Sequence, residues 1–63
     1  MSTEDILIEC MELGYNPTLS HKFYSSYGGQ QMYCVEDDSD EIYALGHSLN
    51  EAATKFYNKI KNI

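Results

Sequence analysis

Ser48-Leu49-Asn50-Glu51 opens the stretch that most constrains this chain. A serine followed three places later by glutamate is a capping box: the hydroxyl accepts from the N–H of Glu51, and the glutamate side chain reaches back to the serine N–H. Leu49, Ala52, Ala53, Phe56, Tyr57 and Ile60 then recur at helical spacing, and Lys59 and Lys61 suit the negative end of the helix. An apolar stripe of this kind has to lie against another apolar surface. The whole chain has 63 residues, so that surface must come from a few short elements.

A second amphipathic helix is expected over residues 3 to 13, capped by Ser2 or Thr3 and begun by Glu4 and Asp5 near its positive end. Ile6, Cys10 and Leu13 form its stripe, widened by Leu7 and Met11; Gly14 and Pro17 end it. Between the helices, three segments read as strands: residues 18 to 24, 31 to 36 and 41 to 45. Ser25-Ser26-Tyr27-Gly28-Gly29-Gln30 is the first turn, and the acidic run Glu36-Asp37-Asp38-Ser39-Asp40-Glu41 is the tip of the second. Gly46 closes the last strand. Short turns make an antiparallel meander. The expected fold is α+β with topology αβββα, a three-stranded antiparallel meander with both helices packed on one face, in a single domain over residues 1 to 63.

Strand alternation assigns side chains to the two faces. Leu19, His21, Phe23, Met32, Cys34, Ile42 and Ala44 are expected to meet the helices. Ser20, Lys22, Tyr24, Gln31, Tyr33, Val35, Tyr43 and Leu45 are left on the open side, where Tyr24, Tyr33 and Tyr43 mark a contact surface. A chain this short hides only about 60% of the surface its unfolded form exposes, so a homodimer is expected.

Ten acids face four lysines and no arginine, a formal charge of −6. Such a chain does not grip phosphates directly, so no direct nucleic-acid binding is expected. Its field suits a partner protein with a basic surface. Glu36, Asp37, Asp38, Asp40 and Glu41 are the residues that would steer one. Counted from Asp38, a calcium loop would need glycine where Tyr43 stands and glutamate where Leu49 stands. His21, His47, Cys10 and Cys34 form no local ligand pair, so neither a metal nor another cofactor is expected. Cys34 lacks an evident base, and no phosphate loop, dinucleotide fingerprint or nucleophile elbow occurs, so no enzyme is expected. Two widely spaced cysteines suggest a reducing, cytoplasmic setting; neither a signal peptide nor a membrane span is expected.

The run Glu41-Ile42-Tyr43-Ala44-Leu45-Gly46-His47-Ser48-Leu49-Asn50-Glu51-Ala52 resembles the tail of HicB-type antitoxins, where a strand ends in a small residue and glycine and Glu-Ala opens a helix. It also resembles small bacteriophage proteins of the helix–sheet–helix sandwich type, whose first helix often ends in Leu-Gly-Tyr, as Leu13-Gly14-Tyr15 does. The second resemblance is the fuller one, because HicB domains open with a strand. It implies a small acidic protein that binds and inhibits a host protein, defence enzymes such as CRISPR effectors or restriction systems included. The HicB resemblance implies instead an antitoxin module for a small basic toxin. A self-assembling structural protein is the third expectation.

Overall fold

The computed structural model describes residues 2–24, 29–39 and 41–62, and of residues 22–24 and 30 the backbone alone. Helix α1 spans Thr3–Glu12, strands β1, β2 and β3 span Pro17–Tyr24, Gln30–Asp37 and Tyr43–Gly46, and helix α2 spans Leu49–Lys61. The sheet is antiparallel with order β1-β2-β3, which gives the expected αβββα topology. The paired-glycine turn falls partly on residues 25–28, outside the described residues.

Each helix begins and ends for a local reason. Ser2 caps α1 by accepting from the Asp5 N–H at 3.2 Å. At its other end the Tyr15 N–H donates to the Cys10 carbonyl and the Gly14 N–H to the Met11 carbonyl, a Schellman motif. Gly14 supplies the left-handed residue that this motif needs, with φ 94°. Ser48 caps α2 as expected, accepting from the Glu51 N–H at 3.1 Å. The Glu51 carboxylate pairs with Lys55 at 3.1 Å, and the Lys55 ammonium first and the His47 N–H beside the cap last help to lower its pKa.

The core is built from Ile6 and Cys10 of α1, Val35 and Ala44 of the sheet, and Ala52, Ala53, Phe56 and Ile60 of α2. Both helices therefore cover the same side of the sheet. An odd number of strands brings the second helix back in the direction of the first. Asn50 accordingly meets Thr3 and Tyr57 meets Glu9, both through side-chain hydrogen bonds. Cover is uneven, because α2 rests on β2 and β3 whereas α1 leans on α2 and touches β1 only lightly. Leu13 and Met11, expected in the stripe of α1, are each 53% exposed.

The faces need one correction. The register pairs Leu19 with Val35, His21 with Tyr33 and Val35 with Ala44, so Tyr33 and Val35 stand on the helix side. Met32 and Cys34 stand on the far side with Ser20, Leu45 and Tyr43. The physical reason is that a turn longer or shorter by one residue swaps every side chain of a strand to the other face. Buried Val35 is the apolar anchor that fixes the choice. The far side is not bare: Met32 and Cys34 are 5% and 2% exposed, with half-buried Ser20 and Leu45 flanking Cys34.

Candidate interaction surface

The acidic turn is organised by its own hydrogen bonds. Asp37 closes β2, and its N–H donates to the Ile42 carbonyl at 3.0 Å, which ties the two arms together. Its carboxylate accepts from the Asn16 N–H at 2.9 Å and from the Ser39 N–H and hydroxyl. These donors hold its pKa below the usual aspartate range, the Ser39 hydroxyl first among them. Asp37 thus pins the turn to the α1–β1 connection. Asp38 is exposed and accepts from the Thr18 hydroxyl at 3.2 Å. Glu36 is half-buried and Glu41 exposed. Asp40 lies outside the described residues.

The three tyrosines do not form one face. Tyr33 is on the helix side, half-buried against the core and stacked on His21 with ring centroids 4.3 Å apart. Tyr43 is on the far side and 54% exposed. The side chain of Tyr24 lies outside what is described. Tyr43 is held by α2: the Lys59 ammonium lies 5.0 Å from its ring centroid and donates to its backbone carbonyl. That bond also covers part of the short outer edge of β3, a common protection for exposed strand edges. Sequence reading missed Lys59 in this role, although a lysine near the end of a helix that packs on the last strand was the available signal. An open groove of about 780 Å³ runs between β3 and α2, lined by Tyr43, Leu45, His47, Lys55 and Lys59 among others.

Other large apolar side chains are exposed on the α1 side: Ile8, Met11, Leu13 and Leu19. Leu19 faces the same way as buried Val35 yet is 44% exposed, on the strand that α2 leaves to β2 and β3 and that α1 touches only lightly. Cys10 and Cys34 are free and buried on opposite sides of the sheet, and burial pushes the Cys10 thiol pKa up. Among the described residues, no three His, Cys, Asp or Glu side chains converge as metal ligands, and no helix is long and apolar enough to cross a membrane. Comparison with protein families, curated proteins and solved structures finds no match.

Proposed function

We propose that this chain is a small non-enzymatic interaction protein that binds a host protein bearing a basic surface and inhibits it, as its resemblance to small phage-type proteins implies. One observation carries the reading. A chain of net charge −6 exposes Ile8, Met11, Leu13 and Leu19 at between 42% and 53%. A field of one sign draws in the opposite charge, and exposed apolar side chains supply the contact area once the partner arrives.

The test is capture from a bacterial lysate on the tagged, immobilised chain, with mass spectrometry of what is retained. The expected result is a small set of proteins with basic surfaces, held at low salt and released at high salt. Activity of the captured protein is expected to fall when the free chain is added. A column that retains no bacterial protein contradicts the proposal. Self-association through the far side of the sheet is the second reading, favoured by the exposure of Tyr43 beside the groove. Light scattering that shows a stable oligomer, together with an empty capture column, selects it.

A further inference from the structure

The direction of the sheet hydrogen bonds shows which backbone groups have no sheet partner among the described residues. The Asp37 N–H points to β3, where it meets Ile42. Successive residues of a strand point their hydrogen-bonding groups to alternate sides. Val35 and Tyr33 therefore also address β3, whereas Glu36 and Cys34 address β1, opposite Thr18 and Ser20. It follows that the N–H and C=O groups of Leu19 and His21 point away from the sheet. β1 is an edge strand of eight residues, and its outer edge has the room that β3, with four residues and the Lys59 cap, lacks.

The same two residues turn their side chains to the helix side, where Leu19 and His21 are exposed. α1 packs on α2 and makes its light sheet contact with β1, so the flank of α1 that turns away from α2 is on the β1 side of the molecule. Glu4, Ile8 and Glu12 make one stripe of this flank at four-residue spacing, and Met11 stands beside them. Ile8 and Met11 are 42% and 53% exposed, and both glutamates are exposed. α1 carries four acids and no base between Thr3 and Glu12. A second copy docking here would set Glu4 and Glu12 against their own kind, with −6 on each chain. Like charges placed across an interface disfavour that occupant.

We propose that the outer edge of β1 receives an extended basic segment of a partner protein as a fourth strand. Main-chain bonds to Leu19 and His21 hold it, apolar side chains on one face of the segment cover Leu19, Ile8 and Met11, and lysines or arginines meet Glu4 and Glu12. This is strand addition at a sheet edge, in which backbone pairing gives affinity and alternate side chains give selectivity. It rests on the reading of a basic partner but locates the contact away from the acidic turn.

The experiment uses the isotope-labelled full chain and two end-capped peptides of about ten residues, long enough for one strand, alternating Lys–Val and alternating Glu–Val. The Lys–Val peptide is expected to shift and protect the amides of Leu19 and His21 and to leave that of Ser20 unchanged; the Glu–Val peptide is expected to do neither. Two variants that keep their circular dichroism should weaken binding by about tenfold or more. They are His21→Pro, which is tolerated on an edge strand and is read against His21→Ala, since both lose the ring stacked on Tyr33 and only proline deletes the outward N–H, and the double charge reversal Glu4→Lys, Glu12→Lys. Shifts confined to residues 36–41 overturn the edge site and leave the basic-partner reading standing. Equal binding of both peptides, or no shift at all, overturns both. Concentration-dependent protection of Leu19 and His21 without peptide makes a second copy the occupant and overturns the proposal.

Discussion

Asp37 was legible as a charge and illegible as a tie, because its partner Asn16 lies on the far side of β1 in the sequence. Its lowered pKa fixes the sign of a pH effect. A carboxylate whose pKa falls on folding contributes stability that is fully present above its unfolded-state value and is lost as the pH drops through the folded-state value. Asp37→Ala should therefore lower the melting temperature at neutral pH, and the gap to the native chain should close below the ordinary aspartate range. Thermal melts across that range check this; a gap of constant size would contradict it. Gly46 is the other residue whose role needed the structure. The sequence suggests a strand stop, whereas the cause is space: a Cβ there would come within 2.6 Å of the Ala52 backbone nitrogen and 3.0 Å of the Glu51 Cβ. Backbone on one side and a helix start on the other cannot yield cheaply. Gly46→Ala should cost about 1–3 kcal/mol, as overpacking does, read from the urea midpoint.

The helices were the most readable elements, since stripe and cap can be counted along the chain. Every residue expected in the stripe of α2 is buried or half-buried in the core cluster. Phe56 is its largest member and fully buried, with the Tyr15 ring edge-on to it at 6.5 Å. Phe56→Ala should remove about 3–5 kcal/mol. That is comparable to the roughly 3–5 kcal/mol which a single small core supplies, so circular dichroism should show a largely unfolded chain at room temperature. Ser48→Ala is milder, at about 1 kcal/mol, and should shift the unfolding midpoint while leaving the folded spectrum intact. Strand existence was readable too, but strand facing was not. Alternation within β2 is sound in either phase, and only the length of the turn before it decides whether Val35 or Cys34 looks inward. The same uncertainty hid the split between Tyr33 and Tyr43. The exposure of Met11 and Leu13 was equally hidden, because a stripe marks what could be buried and the position of the neighbouring helix decides what is.

At the scale of the molecule, charge and cover are distributed unequally. Three of the four lysines lie on α2, and α1 and the acidic turn are anionic. Both helices occupy one side of the sheet, and α2 takes the β2–β3 half of it. What remains is the β1 side, where the outer strand edge, exposed Leu19 and the Glu4–Ile8–Glu12 stripe of α1 form the proposed docking surface. No single stretch of sequence announces this flank, since its parts come from residues 4–12 and 19–21 and meet only through the fold. The account turns on that edge being open in the free chain. Amide hydrogen exchange resolved by residue tests it most directly. Leu19 and His21 should exchange nearly as fast as unstructured peptide, while Ser20 and Cys34, bonded to each other across the ladder, stay protected. Equal protection of all four in the free chain would contradict the account.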